Sequence, residues 1–242
     1  MNQDAAWQKL QALLDREVVR NVASGSLPRR LRVLEAGCGS MSHVSLGASP
    51  HVVGVDLSER QLRRNETLDL TVLGDLHHLP LADGSFDVVV CWDVLEHLHT
   101  PRSALEQMAR ALYPGGHLVL GFPNLQSMKG LLTRWTPHSF HVWVYRHVLG
   151  SKTAGTNDHG PFRTYLRPEA TLSGIQAWAR SRGMDVGLCL LYQSEMQARM
   201  IGRNPLARAY VLGLGRVVQA LTGGRIRASE SDVILVLQKK VE

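Results

Sequence analysis

Val33-Leu34-Glu35-Ala36-Gly37-Cys38-Gly39-Ser40 decides the fold: an apolar run ends there in an acid and two glycines. The next apolar run closes on a second acid, Asp56. The order reads as strand, glycine loop, short helix, strand, carboxylate. A nucleotide-bearing ligand is held in this way, because glycines let backbone approach it and a carboxylate at the second strand's end accepts from ribose hydroxyls. The dinucleotide pattern G-x-G-x-x-G would need glycine at 37, 39 and 42, and position 42 is Ser42. Glu35 stands two residues before Gly37, where a negative charge suits a ligand with a cationic end better than a pyrophosphate. Both features speak against a nicotinamide dinucleotide.

Working outward, short valine-rich apolar runs at 31–36, 52–56, 70–73, 86–92 and 117–122 have the composition of parallel strands buried on both faces. Helices fit between them. Ser58 is an N-cap before 59–65, and Thr100 with Pro101 opens a helix that carries Leu105, Met108, Ala109 and Leu112. Upstream, Trp7, Leu10, Leu14 and Val18 share one face of a helix running from Asp4 to about Val22. The pattern is an α/β, doubly wound, mostly parallel sheet. After Asn124 it changes: residues 125–167 are rich in aromatics and histidines and broken by Gly, Pro and Asn. A helix over 168–182, a strand over 185–192, a helix over 204–221 and a strand over 232–238 follow. The expected organisation is one domain over 1–242. It comprises an N-terminal helical segment (1–28), a cofactor-binding half (29–124) and two substrate-region insertions (125–167 and 195–230).

The chain has 242 residues, a formal net charge of +6, and 44% hydrophobic and 20% charged side chains. No run of eighteen apolar residues occurs, and MNQDAAWQKL lacks a basic region followed by an apolar one, so neither an integral membrane span nor a signal peptide is expected. The expected location is cytoplasmic. Cys38, Cys91 and Cys189 are odd in number and have no C-x-x-C spacing, the usage of reduced thiols rather than of disulfides or zinc. The arginines are dispersed, without a basic block or interleaved aromatics, so nucleic acid is not the expected partner.

Four pieces in order, VLEAGCGS, VVGVDLS, GDLHHLPLADGSFDVVVCWDVLEHL and YPGGHLVLGFPN, make residues 32–124 resemble the class I S-adenosylmethionine-dependent methyltransferases, in particular the type 11 group of small-molecule enzymes. Where that family often has a third glycine this chain has Met41. The resemblance implies a Rossmann-like sheet of seven strands with the last antiparallel, and S-adenosylmethionine as cofactor. It further implies that the loop Gly37, Cys38, Gly39 lies along the methionine moiety, with Glu35 near its ammonium. Asp56 would take the ribose hydroxyls and Leu57 would pack on adenine. Asp75 and the backbone of Leu76 would read the adenine edge, and Trp92 and Asp93 would reach the methionine end.

Asp93, Glu96 and His97 stand at i, i+3 and i+4, so on a helix they would share one face. Some quinone-pathway O-methyltransferases have a similar arrangement that binds a divalent metal, so Mg2+ is a candidate second cofactor; structural or cofactor-pocket roles for the three are the other reading. For a general base the candidates are His97, His138, His141, His147, His159 and Tyr165, with His97 first because the resemblance puts it at the cofactor cleft. Trp135, Phe140, Trp143 and Tyr145 are the rings available to an acceptor. The helix over 204–221 has an apolar stripe of Leu206, Tyr210, Val211, Leu214 and Val218. It would pack on its own domain or on a second subunit in a homodimer, with a membrane surface as the other reading. The expected activity is O-methylation of a small-molecule hydroxyl on a sugar, glycolipid or other secondary metabolite. Carbon or nitrogen methylation, or use of the pocket without methyl transfer, are the alternatives.

Overall fold

The computed structural model describes residues 1–19, 30–43, 46, 49–125, 127, 130, 136–147, 150–156, 160–165, 167–195, 197–198, 213, 216–217, 219–223 and 230–241. Seven strands form one sheet: β1 (Arg32–Ala36), β2 (His51–Asp56), β3 (Leu70–Leu73), β4 (Phe86–Trp92), β5 (Leu112–Pro123), β6 (Asp185–Tyr192) and β7 (Asp232–Gln238). Their order is β3-β2-β1-β4-β5-β7-β6. The first five are parallel, while β7 runs antiparallel to both β5 and β6. Strand order reverses between β1 and β4, so the carboxyl ends of these two strands flank the crevice where ligands of such sheets lie.

The central strands carry apolar side chains to both faces because both are covered. On one face, α1 (Gln3–Leu14) buries Ala6, Leu10 and Leu14 against Val33, Val88, Val90, Trp92, Val119, Ile234 and Val236. Asn2 caps this helix by accepting from the Ala5 amide at 3.1 Å. On the other face, α3 (Pro101–Ala111) and α5 (Leu172–Ser181) bring Leu105, Met108, Ile175 and Trp178 onto Leu34, Val89, Leu118, Leu120 and Leu235. Thr171 caps α5 by accepting from the Gly174 amide. The N-terminal helix is shorter than its apolar spacing suggests. The α-helix ends at Leu14 and continues as a π-helical turn, Asp15–Val19.

Two other boundaries differ from the sequence pattern. β5 begins at Leu112 rather than 117, because Tyr113 precedes Pro114 and is thereby steered away from helical backbone, ending α3 at Ala111. The helix expected over 59–65 is α2 (Glu59–Leu62), capped by Ser58, and Asn65 beyond it turns back toward the glycine loop. No helix is found among the described residues of 40–50. Within 125–167, α4 (His138–His147) is described. The helix expected over 204–221, Trp135 and His159 lie outside the described residues, save a few positions of that helix. No helix among the described residues is long and apolar enough to cross a membrane.

Candidate functional site

The crevice begins at the carboxyl end of β1. Gly37 has φ +74, and a Cβ there would lie 2.5 Å from Val94 Cγ2, so only glycine turns the chain at this point. Its amide and that of Cys38 donate to the Val55 carbonyl, at 2.8 and 3.2 Å, which fastens the loop to β2. Asp56, at the end of β2, accepts from Gly39 N on Oδ2 at 2.9 Å and from Ser58 N on Oδ1 at 2.8 Å. Each carboxylate oxygen has a second lone pair for a ligand hydroxyl. Leu57, beside it, is 67% exposed, which leaves an apolar platform open at the strand end. Asp75 follows β3 and caps the turn Leu76–His78, accepting from His77 N and lying 2.6 Å from His77 Nδ1. The amide bond at His77 holds the Asp75 carboxyl below its ordinary range. Leu76 itself is buried in the core.

Glu35 is a buried acid, 3% exposed, near the end of β1 between the buried Leu34 and Ala36. Burial pushes its carboxyl up to about 7, against opposing hydrogen bonds from Ser42 and the His43 backbone. Its Oε2 is buried with no hydrogen-bond partner. A buried carboxyl oxygen without a partner could accept from a donor that a ligand brings. Trp92, at the end of β4, stacks on Trp7 of α1 at 4.6 Å and on His43 at 6.1 Å. Gly121 of β5 makes room for it, since a Cβ there would fall 2.2 Å from the indole. Asp93 then takes φ +53 and donates its amide to the Gly121 carbonyl at 2.9 Å.

These groups suit S-adenosylmethionine. There is a lone buried acceptor for an ammonium, a paired acceptor for a ribose diol, and an exposed apolar side chain beside it for a ring. A divalent metal does not fit the acid-histidine trio. Asp93 extends the β4–β5 pairing and is not helical, and only Leu95–His97 form a 3-10 turn, so the face expected from helical spacing does not exist. Among the described residues no group of three His, Cys, Asp or Glu has the arrangement to hold a metal ion.

His97 sits in that turn, directly after β4. Its Nδ1 lies 2.9 Å from the Arg163 carbonyl and its ring meets Phe162 edge-on at 5.8 Å. Tyr165 N donates to the Glu96 carbonyl at 2.8 Å, and the Tyr165 ring lies 3.9 Å from His99 and beneath the Arg163 guanidinium at 5.5 Å. The end of the long insertion is thus docked on the His97 turn. Burial lowers the pKa of His97, the Arg163 carbonyl partly offsets this, and charge on nearby His138 lowers it further. Other histidines of the insertion are engaged elsewhere. His141 Nε2 pairs with Thr136 Oγ1 at 2.9 Å, and His147 Nδ1 lies 2.9 Å from the Trp143 carbonyl. Phe140 and Trp143 stack on each other along α4 and are about half exposed.

Sequence reasoning misses the second layer of the crevice. Trp7 reads there as one more apolar position of a helix, Ser42 as a missing glycine, and His43 not at all. Asn65 and Thr67, which hold the glycine loop from below, carry no pattern. Only contact across the fold reveals them.

The profile of the family described as "Methyltransferase domain" matches residues 34–120, the span that holds β1 to β5 and the glycine loop. Among relatives, a "Ubiquinone biosynthesis O-methyltransferase" of Hahella chejuensis is 30% identical over 192 residues, covering 75% of this chain and 71% of the relative. One of the same name from Aromatoleum aromaticum is 29% identical over 194 residues, covering 75% and 72%. Among solved structures, a SAM-dependent methyltransferase from Archaeoglobus fulgidus shares the fold with a TM-score of 0.53 at 16% identity, over 96% of this chain and 94% of that one. The chain belongs to the class I S-adenosylmethionine-dependent methyltransferases, in the type 11 group, and is a methyl-transferring enzyme.

Proposed function

We propose that the enzyme moves the sulfonium methyl of S-adenosylmethionine to a hydroxyl oxygen of a small molecule whose hydroxyl is acidic, such as a phenol, with His97 as general base. Bound in the crevice, the cofactor supplies an electrophilic methyl on a positively charged sulfur. Glu35 would hold its ammonium and Asp56 its ribose. Leu57 would cover the adenine face while Asp75 and the Leu76 amide meet its edge, and the Gly37–Gly39 loop with Trp92 and Asp93 would border the methionine end.

The observation that carries the acceptor half is the His97 turn: a partly buried imidazole just after β4, with Phe162, Arg163 and Tyr165 docked on it from residues 160–165. His97 Nδ1 faces a carbonyl, so in the neutral ring Nδ1 carries the proton and Nε2 is the basic nitrogen. Nε2 takes the hydroxyl proton as oxygen accepts the methyl, and the rings exclude water from the transfer. Burial makes this imidazole a weak base, which suits a phenol with a pKa of about 10 better than a sugar hydroxyl, a much weaker acid. The relatives' names favour oxygen over nitrogen or carbon.

The test is methyl-labelled cofactor offered with matched phenols, catechols and sugars, with products read by mass spectrometry. Label on a phenolic oxygen is expected, and turnover in His97→Gln should fall roughly a hundredfold or more. Label on nitrogen or carbon, or undiminished turnover in His97→Gln, would refute the reading.

A further inference from the structure

The acids that follow β2 and β3 differ in how their own hydrogen bonds are shared out. Asp56 takes one amide on each oxygen, from Gly39 on Oδ2 and from Ser58 on Oδ1, which leaves a lone pair on both. At Asp75 two donors come from one residue and fall on one oxygen. Oδ1 lies 2.9 Å from His77 N and 2.6 Å from His77 Nδ1. A carboxylate only accepts, so the ring nitrogen that faces it carries hydrogen in the neutral and the protonated imidazole alike. Both lone pairs of Oδ1 are thereby filled. Among the described residues no hydrogen-bond donor reaches Oδ2, and the Asp75 side chain is 44% exposed against 16% for His77. The other ring nitrogen of His77, Nε2, is buried and has no hydrogen-bond partner among the described residues. An apolar side chain of similar size would pack there without leaving a polar atom unpaired, so packing alone does not account for the imidazole.

We propose that His77 is a positioning residue that sets base selectivity: by filling Asp75 Oδ1 it leaves Oδ2 as the one acceptor turned to the purine, so that the enzyme takes a 6-amino purine and rejects a 6-oxo one. The proposal rests on the reading that Asp75 meets the adenine edge. A 6-amino group has a hydrogen for Oδ2. A 6-oxo group brings only lone pairs, which meet a carboxylate oxygen that cannot donate, and both are left unpaired. Without the imidazole, Oδ1 would keep a lone pair for water and only the residue 77 amide would hold the carboxylate against rotation. The turn itself has other fastenings. His78 N donates to the Asp75 carbonyl at 3.0 Å, Ser103 Oγ of α3 donates to the His77 carbonyl at 3.4 Å, and Leu76 is buried in the core. Removing the ring therefore loosens the carboxylate and leaves the backbone that presents it in place.

Calorimetric titration of the full chain with S-adenosylhomocysteine and with S-inosylhomocysteine, which has oxygen in place of the 6-amino group, gives the ratio of the two affinities. The parent should prefer the amino ligand by roughly tenfold or more. In His77→Leu this ratio should fall roughly threefold or more, with an unfolding midpoint no lower than the parent's, since a partnerless buried nitrogen is removed. His77→Asn, whose amide nitrogen can stand where Nδ1 stands, should restore the ratio. His77→Gln, which has no donor at that place, should behave as His77→Leu, so the Asn and Gln pair decides even if His77→Leu does not fold. In Asp75→Asn the two donors of residue 77 hold the amide oxygen at the Oδ1 place and put its NH2 at the Oδ2 place, so preference should move toward the oxo ligand by roughly tenfold or more. A ratio unchanged in His77→Leu and His77→Gln, or affinity lost equally for both ligands, overturns the role of His77 while a shift in Asp75→Asn keeps Asp75 at the base. A ratio unmoved in Asp75→Asn removes Asp75 from the base and the proposal with it.

Discussion

Glu35→Gln should stabilise the free enzyme while crippling cofactor binding, and the gain should grow with pH. An acid whose folded pKa is raised contributes stability that is present below its unfolded pKa and is lost as pH rises through its folded pKa. Here the carboxyl goes from an ordinary 4.5 to about 7, so the loss is spread across that window. Each unit is worth about 1.4 kcal/mol, which makes the charged form cost the fold about 3 kcal/mol above neutrality. Glutamine keeps the shape and can donate to Ser42 but never ionises, so it escapes this cost. Urea unfolding of both proteins without cofactor, at about pH 5.5 and pH 8, should show the variant's advantage rising by about 2 kcal/mol between the two conditions. Calorimetry on the same samples should show weakened S-adenosylhomocysteine binding. An advantage that stays constant with pH would refute the argument, because it would mean that Glu35 pays no more to ionise in the fold than in the unfolded chain.

Asp56→Ala should weaken the cofactor by several-fold to a hundredfold, on the order of 1–3 kcal/mol for losing a charged acceptor, and unchanged affinity by calorimetry would count against the ribose assignment. Gly37→Ala should cost roughly 1–2 kcal/mol from left-handed backbone alone, and more from contact with Val94, read as a lowered unfolding midpoint; a midpoint equal to the parent's would contradict the loop geometry. With cofactor saturating, the acid limb of turnover should fall below the ordinary histidine value of about 6.5, since burial keeps His97 in its basic form to lower pH; a limb above that value would point to a different base. Exhaustive chelation should leave turnover intact, because among the described residues no group of three His, Cys, Asp or Glu is placed to hold a metal ion, whereas loss that magnesium restores would refute this.

What the sequence made legible follows from which forces are local. Runs of buried valine and leucine announce β1, β2, β4 and β7 because a strand covered on both faces must be apolar throughout, and Ser58 marks a helix start by its own side chain. The start of β5 is obscured because Leu112 continues the helical spacing of Leu105 and Met108, and the local veto of Pro114 on Tyr113 competes with that pattern. The spacing of Asp93, Glu96 and His97 misleads for a different reason. Periodicity assumes helical backbone, and the Asp93 amide is instead held by Gly121 on a neighbouring strand, a partner that no window around residue 93 contains. Ser42, Thr67 and Asn65 are small polar residues in loops, and only long-range contact separates them from any other loop residue.

The two titratable groups singled out, Glu35 in β1 and His97 just after the adjacent β4, are displaced in opposite directions by the same cause. Burial raises the acid Glu35 and lowers the base His97, so each is driven toward its neutral form. An ionic site left open to water would spend its charge on solvent, whereas a site kept neutral until its ligands arrive can spend it on them. On the reading proposed for Glu35, an arriving ammonium would favour its carboxylate only when there is a cation for it to face. As the proposed base, His97 would remain an uncharged acceptor until a hydroxyl proton reached it, so no imidazolium would stand beside the sulfonium before transfer. Arg163, whose carbonyl faces His97, belongs to the insertion rather than to the sheet. The basicity of the imidazole therefore depends on how that segment is docked, and acceptor binding that tightens the docking would change the acid limb of turnover together with the affinity for acceptor. A substitution at Phe162, which touches the His97 ring without supplying a polar group, separates the two: Phe162→Ala should let water reach the imidazole, raise its pKa toward the ordinary value and move the acid limb upward, even where the cofactor binds as before.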